Sequence, residues 1–222
     1  ADVEQLDALL AAANVRPGER ILDVGCGSGQ IAEYLAERSG AHVTGLDYVP
    51  AAIHQARRRT QGKADQLDFM VGDINALQLP PAAFDVIVSI DSLYFSQDYA
   101  ATIAAFKQAL RPRGRLAVLY SFGREPWVPV DEFPADQLSA DKTPPAVALR
   151  ANGMTFVTQD FTADDYRLAQ LRQAVLADLR PQFETEGNLF IYENRLGDAN
   201  GIAAAIAEGL HRRYLYVAVA EE

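Results

Sequence analysis

The chain has 222 residues, 49% of them apolar, and thirty acidic against twenty basic side chains give a formal charge of −10. That length and apolar content support one domain of ordinary size with a packed core. The acid excess disfavours nucleic-acid partners, which are held through lysines and arginines against phosphate, and the short run Arg57-Arg58-Arg59 reads as a solvated helix edge.

The run Arg20-Ile21-Leu22-Asp23-Val24-Gly25-Cys26-Gly27-Ser28-Gly29-Gln30 predicts a strand, a glycine turn and a helix start in succession. Ile21, Leu22 and Val24 suit a strand buried on both faces. Gly25, Gly27 and Gly29 allow a sharp bend and a close approach to a ligand, and the following helix aims its first N–H groups at whatever occupies the turn. Such a turn at the carboxyl end of a parallel strand binds a nucleotide-like cofactor. A dinucleotide fingerprint wants a glycine where Gln30 stands, which disfavours a dinucleotide oxidoreductase.

Further along, His42 to Leu46 predicts a second strand ending at Asp47, and Pro50 starts a helix. Leu67 to Val71 is a third strand before Gly72-Asp73-Ile74, and Phe84 to Ile90 a fourth before Asp91-Ser92-Leu93-Tyr94-Phe95. Tyr99, Ile103, Phe106 and Leu110 keep helical spacing, Arg111-Pro112-Arg113-Gly114 stops that helix, and Leu116 to Tyr120 is a fifth strand. A short helix near Ala146 to Asn152 precedes a sixth strand, Met154 to Asp160, and Tyr214 to Ala220 alternates as a seventh. Thr162 and Asp165 read as a capping box for a helix with an apolar face of Leu168, Leu171, Val175 and Leu179, which Pro181 ends or kinks. Gly187 opens a turn before an extended segment, Asn188 to Arg195; Ile202, Ile206 and Leu210 mark a last helix, with His211, Arg212 and Arg213 at its carboxyl end.

The glycine turn with its preceding acid, Asp23, and the ordered elements over roughly residues 15 to 121 resemble class I S-adenosylmethionine (SAM)-dependent methyltransferases. The resemblance implies an α/β fold: a Rossmann-like seven-stranded sheet with strand 7 antiparallel, helices on both faces, and a helical lid. The whole chain is then one methyltransferase domain, 1–222, with lid insertions near 122–143 and 161–212. It implies SAM as cofactor and S-adenosylhomocysteine as product. The cradle would comprise Asp23, Gly25, Cys26, Gly27, Gly29 and Gln30, then Asp47 and its neighbour Tyr48, Asp73 and Ile74, and Ile90 and Leu93 beside the fourth strand. Asp47 would take the two ribose hydroxyls, Asp73 the adenine amino group, and Ile74 the ring. Cys26 would present its backbone N–H rather than a nucleophilic thiol, with no His or Lys evident to activate it.

Tyr94 and Glu193 are the candidate catalytic residues. Tyr94 follows the fourth strand, where the family places residues near the transferred methyl; Phe95 reads as core. Glu193, Asn194 and Arg195 follow Phe190 and Tyr192, which predicts partly buried charges: an ion pair between Glu193 and Arg195, or a polar anchor for the acceptor. The expected activity is methyl transfer to a small-molecule acceptor, an amine nitrogen or a hydroxyl oxygen, by a monomer or homodimer. A SAM-using enzyme of another reaction type, such as cyclisation or aminocarboxypropyl transfer, and a non-catalytic SAM-binding module are the alternatives. The amino-methylase signature of nucleic-acid enzymes is missing after the fourth strand, where Ile90-Asp91-Ser92-Leu93 stands. His42, His54 and His211 lack metal-ligand spacing, so no metal is expected. One cysteine, no signal-peptide pattern and no membrane-length apolar run point to a cytoplasmic protein without a membrane partner.

Overall fold

Strand β1 (Arg20–Val24) carries Ile21, Leu22 and Val24, each at most 1% exposed. A strand so apolar must lie inside a sheet covered on both sides. The computed structural model, which describes every residue except Pro126, Glu221 and Glu222, places it there.

Strands β2 (His42–Asp47) and β3 (Leu67–Val71) extend the sheet in parallel from one edge of β1. The chain then returns so that β4 (Phe84–Ile90) pairs with the other edge of β1, and β5 (Leu110–Gly123) pairs with β4, also in parallel. With β6 (Met154–Asp160) and β7 (His211–Ala220), the seven strands form one sheet in the order β3-β2-β1-β4-β5-β7-β6, with β7 antiparallel. The strand order reverses between β1 and β4, and it is at such a reversal that the loops leaving two neighbouring strands part to open a crevice.

Helices α1 (Val3–Ala12), α2 (Gln30–Ser39), α3 (Pro50–Arg59), α4 (Tyr99–Ala109) and α5 (Pro144–Ala151) accompany the sheet. Asp2 caps α1 in a reciprocal box with Gln5, and α3 and α5 each begin with proline in the first turn, where its missing N–H costs nothing. The chain divides into two compact units: residues 1–120, 143–159 and 215–222, and residues 121–142 with 160–214.

The second unit is built around two long helices, α6 (Thr162–Thr185) and α7 (Leu189–Ala207). Leu176, Tyr192 and Ala199 are buried, Phe183 and Tyr192 meet with ring centroids 5.8 Å apart, and Gln173 donates to Asn200 at 2.8 Å. Here the sequence expectations need correction. Asn188 to Arg195 is not extended: Leu189 onward is helical, because packing of Tyr192 and Ala199 along one helical face outweighs the strand preference of Phe190, Ile191 and Tyr192. Pro181 does not end α6, which continues to Thr185 and stops before Gly187 in the left-handed region, φ 69°.

Thr162 and Asp165 form no capping box. The residue before the helix is Phe161, without a side-chain cap; Thr162 Oγ1 instead accepts from the Arg213 N–H at 3.0 Å, and Asp165 faces His211 Nε2 at 3.1 Å. His211, Arg212 and Arg213 open β7 rather than finish a helix, since Gly209 (φ 73°) follows the end of α7. His211, Arg213 and Asp165 are all buried, and Arg213 also donates to Ser121 Oγ at 2.7 Å. Strand β5 starts at Leu110, six residues before the expected position, with a register shift opposite Phe84/Val86 and Arg113 at φ 62°.

The turn glycines differ in what surrounds them. A Cβ on Gly29 (φ 75°) would lie 2.6 Å from the Phe69 ring, whereas one on Gly27 (φ 54°) would meet no atom within 4 Å. Gly27→Ala should therefore cost about 1–2 kcal/mol, the strain of a left-handed backbone alone. Gly29→Ala should cost about 1–3 kcal/mol more through overpacking. Urea denaturation of the two variants checks the order.

Candidate functional site

The site is built on the turn after β1. The Gly25 and Cys26 N–H groups both donate to the Leu46 carbonyl, at 2.7 and 3.0 Å, tying the turn to the end of β2. Gly25 (φ 79°) admits no side chain, because a Cβ there would sit 2.4 Å from Ser92 Cβ. Ser92 in turn donates from Oγ to the Val24 carbonyl at 2.5 Å and lies 2.8 Å from Ser89 Oγ, fastening the end of β4 to the end of β1. Gly29 precedes α2, and no side chain caps that helix, so its first N–H groups face the turn without a side-chain acceptor.

Asp47 joins the turn to the next element. Its Oδ2 accepts from the Gly27 N–H at 2.8 Å and its Oδ1 from the Val49 N–H at 2.9 Å. Each oxygen keeps a lone pair for a further donor. A second network forms the opposite wall. Asp73 Oδ1 accepts from the Asn75 N–H and from its amide Nδ2, at 2.9 and 3.2 Å; the same amide donates to the Phe95 carbonyl at 3.0 Å, and Asn75 Oδ1 accepts from the Gln97 N–H at 2.7 Å. Between these walls lies a cleft of about 460 Å³.

Of the residues expected from sequence, Gly25, Asp47, Tyr48, Asp73 and Ile74 line the cleft. Gly27, Gly29 and Gln30 lie in the adjoining turn and first turn of α2. Asp23, Cys26, Ile90 and Leu93 are buried and do not line it. Cys26 needs correction in detail: its N–H is taken by Leu46, so it does not present that group to a ligand. Its sulfur lies where a Cβ on Gly45 would meet it at 2.7 Å. Burial, reinforced by the Asp23 and Asp47 charges, holds the thiol far above its usual range.

Tyr94 stands beside the cleft rather than in its lining. Its hydroxyl donates to Asp91 Oδ1 at 3.2 Å and its ring lies against Tyr120 with centroids 4.7 Å apart. Phe95 is not core: it is 72% exposed and lines the cleft. Glu193 is on α7 in the second unit, exposed rather than partly buried, and Arg195 pairs with Asp198 at 3.9 Å, not with Glu193. Val49, Asn75, Asp91, Ser92 and Gln97 line the cleft and were not expected there. Asp91 alone had a readable signal, as a charge ending a buried strand.

Asp23 is 2% exposed under the turn, and its Oδ2 has no hydrogen-bond partner. Burial, with the nearby Asp47 charge, pushes its carboxyl up to about 7. The folded state therefore holds a proton that the unfolded chain has released above pH 4, so stability falls as pH rises from about 4 to about 7 and then levels. Asp23→Asn should remove this contribution: the melting temperature of the variant relative to wild type should climb over that range and level off above it. Thermal scans across pH check it.

Residues 22–118 match the methyltransferase domain family. Phosphoethanolamine N-methyltransferase 1 of Arabidopsis thaliana is 36% identical over 120 residues, 54% of this chain and 24% of the relative. A ubiquinone biosynthesis O-methyltransferase of Xylella fastidiosa is 43% identical over 102 residues, 46% of this chain and 41% of the relative. The chain thus spans less than half the length of these curated relatives. Phosphoethanolamine N-methyltransferase 2 of Haemonchus contortus, solved with phosphomonomethylethanolamine and S-adenosylhomocysteine, superposes with a TM-score of 0.83 at 18% identity, over 99% of this chain and 53% of that one, which shows a shared fold.

Proposed function

We propose, for a chain that belongs to the class I SAM-dependent methyltransferase superfamily, that the cleft at the β1/β4 reversal holds SAM and that the protein methylates a small-molecule amine or hydroxyl. The observation that carries this is Asp47: a carboxylate held by two backbone N–H groups, lining the same cleft as the glycine turn and Asp73.

The residues fit the cofactor. Asp47 offers acceptors for a ribose diol, Asp73 for an adenine amino group, and Ile74, Tyr48 and Val49 offer apolar surface to a flat ring. The space above Gly27 leaves the backbone open to close approach. The bound cofactor supplies an electrophilic methyl on a positive sulfur. What the chain must add is orientation, since holding acceptor and methyl in line supplies much of the acceleration. Tyr94, in the turn after β4, is the polar group assigned to that task; Glu193, exposed in the other unit, is given no step. No described helix is long and apolar enough to cross a membrane, and the single cysteine fits a reducing cytoplasm.

Asp47→Ala should weaken binding of S-adenosylhomocysteine by about 1.5–3 kcal/mol, the range for hydrogen bonds to a charged group. Titration calorimetry checks this, and unchanged affinity would take Asp47 out of the site. Mass analysis of the turnover products, S-adenosylhomocysteine with a methylated acceptor against methylthioadenosine, separates methyl transfer from other uses of SAM.

A further inference from the structure

The two carboxylate oxygens of Asp73 are not equivalent. Asp73 lines the cleft just after β3. Its Oδ1 accepts from the Asn75 N–H at 2.9 Å and from the Asn75 side-chain amide at 3.2 Å, which uses both lone pairs of that oxygen. Among the described residues, none donates to Oδ2. The backbone here is fixed as well: the Gly72 N–H donates to the Asp47 carbonyl and the Ala76 N–H to the Asp73 carbonyl, each at 3.0 Å. The Asn75 amide is itself held by three residues. Besides Asp73, its nitrogen donates to the Phe95 carbonyl at 3.0 Å, and its oxygen accepts from the Gln97 N–H at 2.7 Å. Both of its hydrogens are therefore used, and a flipped amide would set oxygen against the Asp73 carboxylate and the Phe95 carbonyl. Phe95 and Gln97 belong to the loop after β4, which a second contact joins to the same turn. The Ser96 and Thr102 hydroxyls are buried 2.9 Å apart, and Thr102 Oγ1 reaches the Ile74 carbonyl at 3.5 Å.

A carboxylate turns easily about its last bond, because that torsion is broad, and a free one meets donors in several directions. With Oδ1 occupied twice, Asp73 has only Oδ2 left for a ligand, and the Asn75 amide limits where Oδ2 can point. From this bridge we infer that Asn75 is a positioning residue for base recognition: by holding Asp73 it makes the cleft select a 6-amino purine over a 6-oxo purine. The inference rests on the SAM reading above and goes beyond it by assigning Asn75, which acts through Asp73. The two bases differ where the carboxylate reads them. A 6-amino purine presents an N–H donor at that edge and a bare acceptor at N1. A 6-oxo purine presents a carbonyl oxygen there and carries its proton on N1. A fixed Oδ2 opposite a carbonyl oxygen is left without a donor, which is the most discriminating arrangement a polar site can have. Without the Asn75 amide, Asp73 keeps one of its two Oδ1 donors and gains freedom to turn toward the N1 proton, so the selection weakens.

The test compares, by titration calorimetry on the full chain, S-adenosylhomocysteine and S-inosylhomocysteine, which differ only in the 6-substituent of the purine and the proton on N1. Wild type should bind S-adenosylhomocysteine about tenfold to a hundredfold more tightly, the scale of one hydrogen bond to a charged group. Asn75→Ala should narrow that ratio by about threefold or more. A role in stability alone would weaken both ligands together and leave the ratio where it was. Asn75→Asp keeps the shape of the side chain and an acceptor for the Gln97 N–H while losing both donors. It should narrow the ratio likewise, and it carries the test if circular dichroism shows the alanine variant to be unfolded. A ratio narrowed by less than about threefold in a folded variant overturns the role of Asn75. Equal binding of the two ligands by wild type overturns base selection at Asp73 and leaves cofactor binding standing. If wild type does not bind S-adenosylhomocysteine at all, the SAM reading falls, and this inference with it.

Discussion

Asp47 is where three separate stretches of chain meet. Its carboxylate accepts from the Gly27 and Val49 N–H groups, while the Leu46 carbonyl one residue earlier accepts from Gly25 and Cys26. Four hydrogen bonds at the end of one strand thus fix the glycine turn of β1 and the entry to α3. Bonds to a charged acceptor are stronger than neutral ones, so the turn is preorganised. Ser92 does the same from the other side, through Val24 and through the space that only glycine at 25 leaves free. The cleft follows from these two clamps on a sheet whose strand order reverses between them.

The same arrangement concentrates negative charge. Asp47, Asp73 and Asp91 line the cleft and Asp23 is buried beneath it. A cationic sulfonium compensates such a field, and burial of Asp23 without a full set of partners is a stability cost placed at the site rather than in the outer sheet. That is the pattern expected where function, and not folding, sets the residue type.

Much of the first unit was legible in the sequence. β3, β4 and β6 begin and end at the expected residues and α3 begins at Pro50; the nearly all-apolar run of β4 and a proline in the first turn of a helix have few other uses. Asp47 and Asp73 were legible by position after strands. What was hidden depends on contacts between residues far apart in the chain. Asn75 matters only because Phe95 and Gln97 come within reach of its amide, and Ser92 only because Val24 does. Cys26 lost its expected role to the Leu46 carbonyl, 20 residues away. In the second unit, local pattern misled: Phe190-Ile191-Tyr192 has strand character, yet burial of Tyr192 and Ala199 makes the segment a helix. Asp165 looked like a cap because of its spacing from Thr162, whereas His211 and Arg213, nearly fifty residues on, had the stronger claim on it.

If the proposed function holds, the cleft between the Asp47 and Asn75 walls is the cofactor cradle. Amide hydrogen exchange with and without saturating S-adenosylhomocysteine tests it most directly. A cofactor held there gives new protection concentrated at residues 25–31, 47–49 and 72–75, with α1 and β6 unchanged. Protection centred on other segments, with these three unaffected, would contradict it.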